Sequence, residues 1–293
     1  VISESTTSEE REMDVAIGLP NAVPTTTGAE LIEWARRAEA RGFSSLGTID
    51  RVVYPNYEPL VALAAAAAVT EEIGLCTSVL LGPLRVNAAL LAKQALSLNA
   101  LSGGRFTLGI GLGGREDDYE ISGVDMEGRG KRLDAMLERM REVWSDQRVG
   151  FTAHGAPRVV VGGHADASFA RAARSGEGWI AGGSPAAEYG GMVEKLKAAW
   201  SEAGREGEPR KMALAYFSLG DDGEANANAN LKDYYAWLGE EAASYIAGSA
   251  AKDPETVRQY VDAFAEAGCD ELILIPSSSD PDQVDLLAEA RDG

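Results

Sequence analysis

Two Gly-Gly turns, Gly162-Gly163-His164 and Gly182-Gly183-Ser184, each stand between a short apolar run and an amphipathic segment. Backbone N–H groups at a helix start form an anion site without any basic side chain, and glycine lets a phosphate approach them closely. Both turns are therefore candidate phosphate sites. Ser184-Pro185 is equally a good N-cap and N1 pair, so plain helix capping also accounts for the second turn. A third glycine run, Gly109-Ile110-Gly111-Leu112-Gly113-Gly114, follows another apolar segment. A dinucleotide fingerprint needs a helix directly after it, facing pyrophosphate. Here Arg115-Glu116-Asp117-Asp118 follows, and its carboxylates oppose a diphosphate. Small residues that let a flat ring lie close fit this run better, with an ordinary tight strand end as the plain alternative. Asp50-Arg51 closes a further apolar run, either as a structural clasp or as a contact to a polar ring edge. The acidic run Glu116 to Asp118 suits a solvated loop rather than a metal site.

Other chemistry is missing. The chain has no serine nucleophile elbow and no Walker loop. Its two histidines, His154 and His164, lie in or beside Gly-rich turns, so neither a Ser-His-Asp set nor a zinc motif can be assembled. The two cysteines, Cys76 and Cys269, offer neither a disulfide framework nor a metal site. If the protein is an enzyme, a cofactor carries the reaction.

The elements that must position these residues alternate along the chain. Strand-like runs occupy 14–19, 45–50, 75–81, 106–111, 158–163, 178–182, 212–219 and 271–276. They are short and largely apolar, without the clean polar alternation of a half-exposed sheet, as strands covered on both faces are. Between them lie amphipathic segments. Leu31, Trp34, Ala35 and Ala38 fall on one helical face, with Thr27 and Glu30 as a capping box and Gly42 as the stop. Asp253-Pro254 opens a late helix that carries Val257, Tyr260, Val261 and Phe264 and ends at Gly268. The joint of helix end, glycine and strand start recurs near Gly42, Gly176 and Gly268. Eight such units at a spacing of about 30 residues predict one α/β domain, a (β/α)8 TIM barrel over 13–293. Residues 1–12, rich in Ser, Thr and Glu, are expected to be a disordered tail without a targeting signal. The polar stretch Asp221 to Asn230 can open a helix and need not be a linker.

In such a barrel the site forms at the carboxyl ends of the strands. That selects Asn21, then Asp50, Arg51 and Tyr54, then Thr77 to Gly82 with Arg85, and the three glycine regions above. Tyr54, Tyr57 and Tyr119 either line an apolar pocket or pack the loops. Composition narrows the partners. The 293 residues include 27 Lys or Arg against 46 Asp or Glu, a formal charge of −19. Such a charge opposes nucleic acid and anionic membrane, and a 45% apolar content supports a real core. The longest apolar run, Leu60 to Val69, is shorter than the roughly 20 residues of a membrane span. A soluble cytoplasmic protein is expected.

Taken in order, several stretches resemble the bacterial luciferase-like oxidoreductases, flavin-dependent monooxygenases and deazaflavin (coenzyme F-420)-dependent dehydrogenases. They are Tyr57-Glu58-Pro59-Leu60 with 64–73, Thr77-Ser78-Val79-Leu80 with 90–94, Leu101-Ser102-Gly103-Gly104-Arg105-Phe106, Gly123-Val124-Asp125 with Arg129, and Gly178-Trp179-Ile180. The resemblance spans about Val15 to Ala290 and implies a luciferase-like barrel. It implies that Asp50 lies beside the cofactor ring and that Thr77, Ser78 and Val79 form a bulge behind it, often with a cis peptide. Gly111 and Gly113 would let the cofactor cross the mouth, with Asp117 in the same loop. Gly162, Gly163 and His164 would hold its phosphate, Gly182 and Gly183 being the second candidate turn.

Three departures favour FMN, in reduced form, over the deazaflavin. Arg51 stands where many deazaflavin dehydrogenases carry a catalytic His. Gly113-Gly114-Arg115-Glu116-Asp117 replaces their Gly-Glu-x-x-Asn loop. A chain at −19 opposes the deazaflavin's oligoglutamate tail unless it supplies a local basic groove; a positive rim of Arg51, Arg85 and Arg115 would be that groove and is the argument on the other side. The expected function is an FMN-dependent monooxygenase of a small organic substrate, with Asp50 and Arg51 catalytic. Asn21, Tyr54, Tyr57, Arg85, Arg115 and Tyr119 are expected to face substrate, within mouth loops 19–27, 51–57 and 114–128. A separate reductase would supply reduced flavin, a homodimer is implied, and no metal is. The alternatives are deazaflavin-dependent hydride transfer and, outside the enzymes, a non-catalytic flavin-binding barrel.

Overall fold

Alternate residues along each strand enter two different cores. Ala16, Cys76, Val160, Met212 and Ile273 point into one cluster, and their neighbours Ile17, Leu75, Val161, Ala213 and Leu272 into another. A strand can do this only if it is buried on both faces, which is why these runs lack polar alternation. In the computed structural model, which describes residues 13–149 and 153–293, the inner cluster fills a closed ring of strands and the outer one lies under the helices. The expected N-terminal tail, 1–12, lies outside the described residues.

The strands are β1 (Asp14–Gly18), β2 (Ser45–Thr48), β3 (Gly74–Thr77), β4 (Leu80–Leu81), β5 (Phe106–Gly111), β6 (Arg158–Gly162), β7 (Gly178–Ala181), β8 (Arg210–Phe217) and β9 (Glu271–Pro276). All pairings are parallel, in the order β3-β2-β1-β9-β8-β7-β6-β5-β4, and β3 also pairs with β5 to close the ring. β3 and β4 are two halves of one stave, so the barrel has eight, as the sequence predicts. The predicted strand 75–81 is divided because the Ser78–Val79 peptide is cis and interrupts the ladder. The last barrel stave but one starts at Arg210 rather than at 212. Arg210 and Lys211 pair with Gly178 and Trp179, and Arg210 reaches the buried Glu271 carboxylate at 2.9 Å, so polar residues belong to the strand's foot.

The helices are α1 (Gly28–Ala40), α2 (Pro59–Ala67), α3 (Ala88–Leu101), α4 (Glu116–Ile121), α5 (Arg129–Ser145), α6 (Asp166–Ser175), α7 (Ala186–Glu202), α8 (Gly223–Tyr234), α9 (Glu240–Gly248), α10 (Pro254–Glu266) and α11 (Asp282–Asp292). The capping box at Thr27 and Glu30 forms, and Gly42 follows α1 with φ +70°. Asp253 caps α10 and Gly268 follows it with φ +84°. The polar stretch after β8 does open a helix, α8. One expectation fails here. Glu116 to Asp118 is not a solvated loop but the first turn of α4, and Asp118 is buried. Acidic side chains are stabilised at a helix start, and Asp118 accepts two backbone N–H bonds there, from Val52 and Val53 at 2.8 and 2.7 Å. Among the described residues no helix is long and apolar enough to cross a membrane.

Candidate active site

A cleft of about 640 Å3 opens at the carboxyl ends of β3, β5, β6 and β7 and reaches Leu214 within β8. Ser78, Val79, Gly111, Gly113, Gly162, Gly163, His164 and Gly182, from four separate sequence regions, all line it. The glycines are needed for space. A Cβ on Gly111 would stand 2.7 Å from Val79 Cγ2, and one on Gly162 would stand 2.9 Å from Val79 Cγ1. Val79 thus lies in a notch between two bare backbones, and the floor of the cleft is flat where side chains would otherwise meet. Thr77 and Gly183 do not line it. Thr77 is buried below, its hydroxyl donating to the Gly109 carbonyl at 2.7 Å.

At the turn from β6 into α6, predicted as an anion site, the helix start carries no side-chain cap. Its N-cap is Ala165, which has no side-chain acceptor, so the first N–H groups of α6 are left without a capping side chain. Gly163, at φ +131°, allows the turn, and Trp179 Nε1 fixes it by donating to the Gly163 carbonyl at 2.7 Å. Ser168, one turn into the helix, also lines the cleft. Ser184 does not cap α7. The N-cap there is Pro185, and the Ser184 hydroxyl instead lies 3.0 Å from the Gly182 carbonyl and 3.2 Å from His164 Nε2. Its hydroxyl ties the two glycine turns together.

Asp50 and Arg51 lie away from the cleft lining. Asp50 Oδ2 accepts from the Leu81 N–H and from Arg85 Nη2, both at 2.8 Å, while its buried Oδ1 has no hydrogen-bond partner among the described residues. Burial pushes the Asp50 carboxyl up, against the opposing pull of Arg85 and the Leu81 N–H. Arg51 is buried between the Tyr54 and Tyr234 rings, 4.8 and 5.0 Å from their centres. It donates to the Tyr234 carbonyl at 3.1 Å and to the Val53 carbonyl, and lies 3.6 Å from Asp118. Of the two roles the sequence allows it, these contacts are those of the clasp.

The residues expected to face substrate hold loops together. Asn21 bonds to Ile49 and Tyr57 backbone, Tyr57 donates to the Thr26 carbonyl at 3.1 Å, Tyr54 donates to Asp233 at 2.6 Å, and the buried Tyr119 donates to the Leu112 carbonyl. Arg115 pairs with Asp117 and lies 5.3 Å from the Trp237 ring. The positive rim is not formed. Arg51 and Arg115 face Asp117 and Asp118, and Arg85 lies between Asp50 and Glu58 at 2.8 and 3.1 Å. Neighbouring carboxylates neutralise each guanidinium.

One wall of the cleft is built from residues that the sequence does not single out for the site. Ile180 and Leu214 come from inside the barrel, Tyr235 from the junction after α8 that caps the 3-10 turn Ala236–Leu238, and Trp237 and Leu238 from that turn. The aromatic run Tyr234-Tyr235-Ala236-Trp237, set between a polar helix and Gly239, was its only sequence signal.

Comparison with known proteins agrees with the barrel fold. The profile of the luciferase-like monooxygenases matches residues 12–289. An uncharacterized protein of Mycobacterium tuberculosis is 35% identical over 212 residues, 59% of this chain and 72% of its own. An F420-dependent glucose-6-phosphate dehydrogenase of Amycolatopsis mediterranei is 30% identical over 131 residues, 42% of this chain and 39% of its own. Among solved structures, an F420-dependent secondary alcohol dehydrogenase superposes with TM-score 0.79 at 17% identity, over 96% of this chain and 100% of that one. The oxygenating constituent of 3,6-diketocamphane monooxygenase from Pseudomonas putida, in complex with FMN, superposes with TM-score 0.71 at 18% identity, over 96% and 97%. These two likenesses establish the shared luciferase-like barrel.

Proposed function

This chain belongs to the luciferase-like monooxygenase family, and on that premise we propose that it is an FMN-dependent monooxygenase of a small organic substrate. The observation that carries the choice of FMN is the shape and charge of the cleft. It joins a bare, glycine-lined floor to one uncapped helix start, and among the described residues no Lys or Arg lines it. That suits a flat ring ending in a single phosphate. An oligoglutamate tail would need unpaired cations, and the rim arginines already face carboxylates.

Gly162, Gly163 and the first N–H groups of α6 would hold the phosphate, and Val79, seated between Gly111 and Gly162, would support the ring. Bound reduced flavin supplies the electrons that activate O2. The protein's own part is to position and to exclude water. Trp237 and Leu238 cover the cleft, and the Arg51 clasp closes the mouth beside it. A separate reductase is proposed as the source of reduced flavin. Exposed Val61, Leu90 and Leu101 on α2 and α3 support the homodimer.

A second reading is deazaflavin-dependent hydride transfer, favoured by the identity to the F420-dependent relative. Parallel titration of the apo-protein with FMN, anaerobically reduced FMN and coenzyme F420 separates the two. Tightest binding of reduced FMN supports the monooxygenase. Tightest binding of F420 replaces it.

A further inference from the structure

The cleft has two unlike walls. One is the β6–α6 turn with its N–H groups; in the other, Ile180, Leu214, Trp237 and Leu238 present hydrocarbon and aromatic surface. Among the described residues no Asp, Glu, Lys or Arg lines the cleft. Nor are the neighbouring guanidiniums spare. Arg51 is held by Asp118 and the Tyr234 carbonyl, and Arg115 by Asp117. A charged substrate would shed water against this wall with nothing to replace it, a loss that apolar contact does not offset. Besides the Trp237 indole N–H, the wall carries the phenol of Tyr235. Tyr235 lines the cleft, and its hydroxyl meets that of Tyr216. Two hydroxyls carry two protons and their mutual bond uses one, so the pair keeps one O–H to donate.

We propose that this wall binds an uncharged, mainly apolar substrate bearing a ketone or alcohol oxygen, anchored by the Tyr216–Tyr235 hydroxyl pair, and that it rejects carboxylated and phosphorylated compounds. The proposal rests on the reading above, in which the β6–α6 side takes the cofactor phosphate and leaves this wall to substrate. It separates the chain from a sugar-phosphate enzyme, since with the β6–α6 turn given to the cofactor phosphate no Lys or Arg among the described lining residues is left for a second one.

Trp237 stands in the wall and is 44% exposed, so its fluorescence reports occupancy, with Trp237→Phe identifying its share of the signal. The whole chain is titrated with cyclooctanone, cyclooctanecarboxylate and glucose-6-phosphate, with and without FMN. Cyclooctanone is expected to quench saturably and to bind at least about tenfold tighter than either anion. In Tyr235→Phe, shown folded by circular dichroism, its affinity is expected to fall about tenfold, the worth of one hydrogen bond. In the FMN-loaded protein, equal or tighter binding of either anion overturns the proposal, as does unchanged ketone affinity in Tyr235→Phe. The wild-type comparison decides even if the variant fails to fold. Absence of FMN binding would count against the cofactor reading instead, and the ketone affinity and its loss in Tyr235→Phe would still be read in FMN-free protein.

Discussion

The guanidinium carbon of Arg51 stands 5.0 Å from the centre of the Tyr234 ring, and its Nη1 donates to the carbonyl of that same residue at 3.1 Å. Arg51 follows β2 and Tyr234 ends α8, so one side chain joins the two sides of the barrel mouth. With Tyr54 on its other face and Asp118 at 3.6 Å, the cation is enclosed by rings and carboxylate.

Arg51→Ala should therefore cost stability before it costs cofactor affinity. Removing one partner of a buried charge pair costs about 3–5 kcal/mol, here tempered by the second arginine, Arg115, near the same carboxylates. A loss of roughly 3 kcal/mol in urea unfolding, with FMN affinity changed less than about threefold, is the expected result. The reverse pattern would move Arg51 to the cofactor.

Gly162→Ala tests the floor. Its new Cβ would meet Val79 Cγ1 at 2.9 Å, and Val79 can yield only toward the cleft, because Gly111 bounds it on the other side. Overpacking of this kind costs about 1–3 kcal/mol. Cofactor affinity should fall at least about tenfold while the far-ultraviolet circular dichroism is kept. Calorimetric titration showing wild-type affinity would place the ring elsewhere.

Glu39 gives a stability contribution that depends on pH. Its carboxylate accepts N–H bonds from Glu71, Glu72 and Ile73 at 2.8, 2.7 and 3.0 Å. Burial alone would raise its pKa, but these donors and Arg105 outweigh burial and hold it below the ordinary 4.5. A lowered carboxylate stabilises above its unfolded pKa, and that contribution is lost as pH falls through the folded one. Glu39→Gln should lose about 1–2 kcal/mol at neutral pH, and the gap to wild type should close under acid. Urea midpoints across the pH range check this; a gap independent of pH would contradict it.

Asp50 should show the opposite slope. Its carboxyl is raised from the ordinary 3.8, mainly by burial, so between the unfolded and folded values the native state binds more protons than the unfolded. This group's contribution is greatest below the unfolded value and declines as pH rises through the folded one. Asp50→Asn removes that titration. Stability of wild type minus that of the variant should fall as pH rises above about 4, as followed by thermal melts in matched buffers. A difference that grows with pH would mean that Arg85 outweighs burial.

The sequence alone determined the barrel, because largely apolar runs of strand length, joined by capped amphipathic segments, leave few other ways to bury both faces. It also located Gly111, Gly162 and Gly163, because a backbone that must come close to another group needs glycine wherever it falls in the fold. Capping at Thr27 and Asp253 was equally legible, since it depends on neighbours within one turn. The partners of the charged residues were not. Whether Arg51 meets a ligand or Tyr234 is decided by a residue 183 positions away, and no local pattern encodes that distance. Asp118 looked solvated until the fold set it against the Val52 and Val53 N–H groups. The wall of Tyr235, Trp237 and Leu238 exists only because α8 folds back over the mouth, bringing a late aromatic run against Gly114. Local rules act through the backbone and reach a few residues; charge pairing and cleft walls act through space, and only the closed barrel brings those residues together.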